Sequence, residues 1–257
     1  MTTLRVIPVP AFSDNYIWTI RDETHAVVVD PGDAAPVLDY LKREKLQLAA
    51  ILNTHHHADH VGGNGALLAA QPVPVYGPRD DRIPDVTERV GNRDTVTLPH
   101  FATMLQVVEV PGHTRSHIAF HGGGMLFCGD TLFAAGCGRL FEGTPAQMHA
   151  SLTLLAGLPA DTRVYCGHEY TVSNIKFARA ADPDNPALAE WGMRARRLRD
   201  SHQPTLPTDI GLEKKTNPFL RCGERAIRES ASRYAGRALS DPVEVLAVIR
   251  EWKNNFK

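Results

Sequence analysis

From Thr54 the chain reads Thr-His-His-His-Ala-Asp-His, ending at His60, with Leu52-Asn53 before it and Gly62-Gly63 after. Such a dense run of imidazoles and one carboxylate is poor material for packing, and its plausible use is to hold metal, at a spacing that suggests more than one ion. Ala49–Leu52 is a short apolar run, read as the end of a buried strand. If the chain stays extended beyond it, side chains two apart share a face, so His55 and His57 converge and His56 faces away. Asp59 and His60 then fall at the turn into a helix starting near Val61, where they can serve a second ion.

One short motif cannot enclose two ions, so partners must come from elsewhere. Val110-Pro111-Gly112-His113, Cys128-Gly129-Asp130 and Cys166-Gly167-His168 share one design: an apolar strand, then glycine beside a polar residue. Glycine allows a sharp turn and close backbone approach, and strand ends are rigid supports. With the histidine run these give seven protein ligands: His55, His57, Asp59, His60, His113, Asp130 and His168. One carboxylate must bridge if each ion takes three or four, with water completing an open catalytic shell. Neutral imidazole and carboxylate suit zinc first, and iron or manganese as well.

The remaining composition is ordinary. Hydrophobic residues make up 43% and charged residues 22% of 257 residues, with a net charge of −1. That charge offers no field for nucleic acid or an anionic membrane, and no apolar stretch reaches the roughly 20 residues of a membrane span. The N-terminus lacks a secretory apolar core, and four cysteines without a C-x-x-C pair point to a reduced, cytoplasmic protein. Cys137 lies among glycines in an expected loop, where a thiol could be reactive. Arg194, Arg196, Arg197 and Arg199 read as a solvated helix face rather than a nucleic-acid patch.

Strands are expected at Arg5–Val9, Tyr16–Ile20, Ala26–Asp30, Val73–Tyr76, Leu105–Val110, Ile118–Phe120, Met125–Cys128 and Arg163–Cys166, with Asp30-Pro31-Gly32 as a turn. Ala35–Lys45 is an amphipathic helix. Thr144 as N-cap and Pro145 at the first position start a helix over Pro145–Ala156. After Tyr170 no alternating strand pattern appears, and helices are expected at Val172–Ala181, Ala187–His202, Glu224–Tyr234 and Pro242–Trp252. The boundary is therefore placed near 170, giving domains 1–170 and 171–257.

The ordered set His55-x-His57-x-Asp59-His60, His113, Asp130, His168 resembles the metallo-β-lactamase superfamily. Ser13-Asp14-Asn15-Tyr16, Gly129-Asp130-Thr131-Leu132-Phe133, Gly136-Cys137-Gly138-Arg139, Phe141-Glu142-Gly143-Thr144, Gly167-His168-Glu169-Tyr170-Thr171, Asn217-Pro218-Phe219 and Arg250-x-x-Lys253 are similar to the glyoxalase II (hydroxyacylglutathione hydrolase) family. The resemblance implies an α/β (α+β) fold, a four-layer αββα sandwich followed by a helical C-terminal domain. It implies two divalent ions, the first held by His55, His57 and His113, the second by Asp59, His60 and His168, with Asp130 bridging. Arg139, Phe141, Tyr170, Arg250 and Lys253 would line the site of a glutathione thioester. Phe141 stands where some relatives carry Tyr.

The implied reaction is hydrolysis of S-D-lactoylglutathione to glutathione and D-lactate, a step of methylglyoxal degradation, by a monomer. A hydroxide held by Asp130 and the two ions would attack the carbonyl, Asp59 being a further proton acceptor. No G-x-S-x-G nucleophile motif competes with this. The other readings are a lactam or lactone hydrolase of the same fold, a mononuclear-iron persulfide dioxygenase, and an RNA-processing nuclease or a pure metal-binding protein.

Overall fold

The computed structural model describes residues 4–256, and the chain separates into two compact units. The first holds the described residues up to Glu109 together with Ser116–Gly129. The second holds Val110–Arg115 and the described residues from Asp130 onward.

In the first unit β1 (Arg5–Ala11), β2 (Asn15–Arg21) and β3 (His25–Val29) run antiparallel, then β4 (Gln47–Leu52), β5 (Val75–Pro78) and β6 (Glu88–Val90) add on in parallel. The crossover between β3 and β4 is α1 (Ala34–Glu44). Asp33 caps its N-terminus by accepting from the Ala35 amide, and Lys45, at φ 56°, ends it in the left-handed region. Val37, Tyr40 and Leu41 of α1 pack with Ala26, Val28, Leu48 and Ile51 of the sheet. Burying each of the Val, Leu and Ile side chains among them contributes about 1.5–3 kcal/mol. Every residue of β2 is buried, so neither of its faces is left to solvent. Strands β7 (Thr95–Thr97), β8 (Met104–Glu109), β9 (Ile118–Gly122) and β10 (Met125–Gly129) form an antiparallel meander. The expected helix start near Val61 is a single turn, α2 (Ala58–Val61), followed by α3 (Asn64–Ala70).

The second unit opens with a tight hairpin, β11 (Leu132–Phe133) and β12 (Gly136–Cys137), then α4 (Pro145–Ala156) and β13 (Arg163–Cys166). Thr144 and Gln147 make a reciprocal capping box at α4, whose bounds are those read from the sequence. Helices α5 (Thr171–Ala181), α6 (Pro186–Asp200), α7 (Ile210–Thr216), α8 (Arg225–Ala235) and α9 (Pro242–Asn255) follow. Two elements depart from the expectation of four helices alone after Tyr170. β14 (Thr208–Asp209) pairs antiparallel with β13, and α7 is present. Both are too short to carry a periodic signal. Among the described residues no helix is long and apolar enough to cross a membrane.

Candidate functional site

In the first unit the chain bends at Thr54 and His55 on leaving β4, rather than running straight on as the spacing predicts, and is extended again at His57. His55 Nε2 lies 3.1 Å from His57 Nδ1. His56 turns the other way, 3.6 Å from Asp80. Two Arg82 side-chain hydrogen bonds and the Ser116 hydroxyl hold the Asp80 carboxyl well below the usual carboxylate range, so it is a fixed anion. His60 is buried, with Nε2 3.6 Å from an Asp59 carboxylate oxygen. Asn15 donates to that same oxygen at 3.1 Å and to the Asp59 backbone carbonyl, which fixes how Asp59 enters the turn. His117 stacks on His55 with centroids 4.6 Å apart.

Asp30, which the sequence reading took as part of a turn, packs against the histidine run. Its carboxylate accepts from the Thr54 amide and hydroxyl, both at 2.7 Å, and meets His60 Nδ1 at 3.1 Å. Thr54 Oγ1 in turn lies 3.0 Å from His55 Nδ1. Asp30 thus sets both rings of the run from behind, leaving the opposite nitrogens for metal. Its place at the end of an apolar strand, beside Pro31-Gly32, repeats the design of the other ligand positions, and that is the signal that could have found it. Close approach needs glycine here: a Cβ on Gly32 would meet the Asp59 carbonyl oxygen at 1.9 Å. Gly129, at φ +45°, would meet Thr54 Oγ1 at 2.2 Å.

In the second unit His113, Asp130 and His168 converge. His113 Nε2 and His168 Nε2 each stand 3.4 Å from the same Asp130 oxygen, and all three residues are buried. His113 Nδ1 is 2.9 Å from the Arg139 carbonyl, which leaves Nε2 aimed at Asp130. The loop carrying His113 is held by Gly143 donating to the Gly112 carbonyl and Phe141 donating to the His113 carbonyl. A buried carboxylate oxygen facing two imidazole nitrogens fits a divalent ion of the zinc, iron or manganese kind, with no thiolate in the set.

Beside this trio is a cavity of about 410 Å³ lined by Arg139, Leu140, Phe141, Ala247, Arg250, Glu251 and Asn254. Phe141 is exposed and sets its ring edge-on to His113, 5.2 Å between centroids. Arg250 is 5% exposed; it donates to the Cys137 carbonyl at 2.8 Å and to Asn254 at 3.1 Å. Its guanidinium sits over the Phe219 ring at 5.3 Å. Two of the five expected substrate residues, Tyr170 and Lys253, are not among those lining this cavity. Tyr170 stacks flat on His168 at 4.7 Å, and the Lys253 ammonium bonds Asn174 Oδ1. Burial and the neighbouring Arg250 charge push Lys253 down to about 7.

Cys137 lies in β12 rather than a loop and is buried, and burial raises its thiol pKa, which argues against a reactive thiol. Of the basic cluster on α6, Arg194 stacks on Trp191 at 4.2 Å and Arg199 lies 3.9 Å from Glu169, as suits a helix face.

The profile of the Metallo-beta-lactamase superfamily matches residues 12–168, and that of the Hydroxyacylglutathione hydrolase C-terminus matches 169–256. Hydroxyacylglutathione hydrolase of Nitrosomonas europaea is 54% identical over 99% of this chain and 97% of its own length. That of Aeromonas salmonicida is 54% identical over 98% of this chain and 99% of its own. Among solved structures, ETHE1 from Myxococcus xanthus covers 99% of this chain and all of its own at 26% identity and a TM-score of 0.65. TTHA1623 in a di-iron-bound form covers 84% of this chain and all of its own at 29% identity and a TM-score of 0.60.

Proposed function

Because the chain belongs to the hydroxyacylglutathione hydrolase family of the metallo-β-lactamase superfamily, we propose that it hydrolyses S-(2-hydroxyacyl)glutathione, S-D-lactoylglutathione above all, to glutathione and the 2-hydroxy acid. The observation that carries this is full-length identity above 50% to relatives of that name. It favours thioester hydrolysis over lactam, lactone or persulfide chemistry.

The ligand assignment follows motif order within that family: His55, His57 and His113 for one ion, Asp59, His60 and His168 for the other, and Asp130 shared. The two imidazoles facing one Asp130 oxygen support the shared role. The di-iron form of TTHA1623 supports a count of two and makes iron a candidate beside zinc and manganese. When bound, divalent ions acidify water to a nucleophile at neutral pH and polarise the thioester carbonyl. The chain's own task is then to place the rings and the substrate. Asp30 and the Arg139 carbonyl hold the tautomers of His60 and His113. The leaving thiolate, of pKa near 8.5, needs little acid help. Matches meeting at residues 168 and 169 support a catalytic part over 1–170 and substrate-binding helices over 171–257.

Glutathione brings two carboxylates. Arg250, pinned by Cys137, Asn254 and Phe219, offers a preorganised guanidinium on the wall of the cavity, and Arg139 a second cation. Arg250→Ala is expected to raise KM about tenfold with a modest loss of kcat, since it removes binding shared by ground and transition states. Steady-state kinetics on S-D-lactoylglutathione, run beside a β-lactam on metal-quantified protein, test both points. An unchanged KM takes Arg250 out of the site, and cleavage of the lactam alone reverses the substrate class.

A further inference from the structure

Beyond its own backbone pairing, the β11–β12 hairpin is held by side chains of the helices around it. Asn174 on α5 donates to the Ala134 carbonyl at 2.9 Å. Asn217, just past α7, donates to the Phe133 and Gly136 carbonyls at 3.1 and 2.9 Å. Arg250 on α9 takes the Cys137 carbonyl. At the turn Ala135 sits at φ 52°, a left-handed conformation that costs an alanine energy. Its amide donates to Glu213 Oε2 at 2.8 Å.

Glu213 is fully buried on α7, an expensive place for a carboxylate. Its hydrogen-bond partners are neutral: the Ala135 amide, Asn217 Nδ2 at 2.9 Å and the Thr208 hydroxyl at 2.7 Å. No Arg or Lys is among them. Packing alone would be served by Leu or Met at less cost, so the carboxylate is retained for where it puts its partners. It orients the Asn217 amide, which spans the hairpin, and it fixes the strained turn. One residue past β12 and Gly138 comes Arg139, and the last carbonyl of β12 anchors Arg250. Both cations line the cavity described above.

We propose that Glu213 is a positioning residue which, with Asn217, sets the β11–β12 hairpin and through it the paired cations Arg139 and Arg250 that grip the substrate's carboxylates; this rests on the glutathione-thioester reading. Thr208 supports it in either protonation state, because a hydroxyl can donate to a carboxylate or accept from a protonated acid or an amide. Gln at this position therefore keeps the whole network: its oxygen takes Ala135 and Asn217, and its amide donates to Thr208. Asp keeps the charge and loses the reach.

The test uses metal-loaded full-length protein on S-D-lactoylglutathione. Glu213→Ala and Glu213→Asp are expected to raise KM about tenfold with kcat within about threefold and metal content unchanged, while Glu213→Gln stays within about twofold of wild type. If the Ala variant does not fold, the Asp variant decides. A wild-type KM in Glu213→Asp overturns the clamp, as does a fall in kcat that tracks metal loss at constant KM. A wild-type protein inactive on the thioester removes the underlying reading and the clamp's role with it, so the two failures are told apart by the wild-type control.

Discussion

Replacing Asp130 by Ala is expected to lower kcat by more than about a hundredfold and to strip metal from the purified protein, because the shared ligand proposed above would do more than the supporting groups whose loss costs 10–100-fold. The carboxylate does two jobs in the second unit. One of its oxygens faces His113 Nε2 and His168 Nε2 at equal distance, so removing it takes the shared carboxylate oxygen from both rings at once. It also supplies the negative charge that offsets a bound ion or a protonated imidazole in this buried place, and Ala removes that charge. Asp130→Asn separates charge from shape, since it keeps one acceptor oxygen and loses the anion. It should retain more metal than Ala and still turn over poorly. Elemental analysis alongside kcat decides the matter: near-wild-type metal in Asp130→Ala counts against the bridging role. Chelation of the wild-type protein should reproduce the loss of turnover, and added zinc, iron or manganese should restore it.

The parts of this arrangement that were legible in the sequence are those built by local rules. Alternation after an apolar strand separates His55 and His57 from His56, and the structure brings the first two rings together and sends His56 to Asp80, though the chain bends at Thr54 and His55. Thr144-Pro145 is a helix start whose cap forms as read, with Thr144 accepting from Gln147; Asp241 accepts from Val243 at the start of α9, which begins where it was expected. What stayed hidden depends on partners far along the chain. Asp30 looks like a turn residue until Thr54 and His60 close on it. Glu213 was not singled out in the sequence, and only the fold brings Ala135, 78 positions away, to its carboxylate. Cys137 looks like loop because its neighbours are glycines, yet those glycines let β12 pack tightly: a Cβ at Gly136 would meet the Asn174 side-chain nitrogen at 2.5 Å. The strands of the hairpin are two residues each, below the length at which alternation carries information.

Glu213 also gives the fold a pH dependence of definite sign. Burial pushes its carboxyl up to about 7 from an ordinary 4.5, with Thr208, Asn217 and the Ala135 amide pulling back only part of the way. The folded state therefore holds this proton more tightly than the unfolded chain. Its stabilising contribution is complete below about pH 4.5 and is lost as pH rises through about 7, a change on the order of 3 kcal/mol. Other groups titrate in the same window, Lys253 among them, so total stability against pH does not isolate the effect. The difference between wild type and Glu213→Gln does, because the shared groups cancel. Between about pH 5.5 and 8 the Gln variant should gain on wild type by about 2 kcal/mol in chemical unfolding of the metal-loaded protein. The gain should appear as a shift in midpoint at constant slope, since the surface exposed on unfolding is the same. Parallel pH curves for the two proteins would mean that the carboxylate pays no burial penalty, and Glu213 would then be an ordinary ionised acceptor.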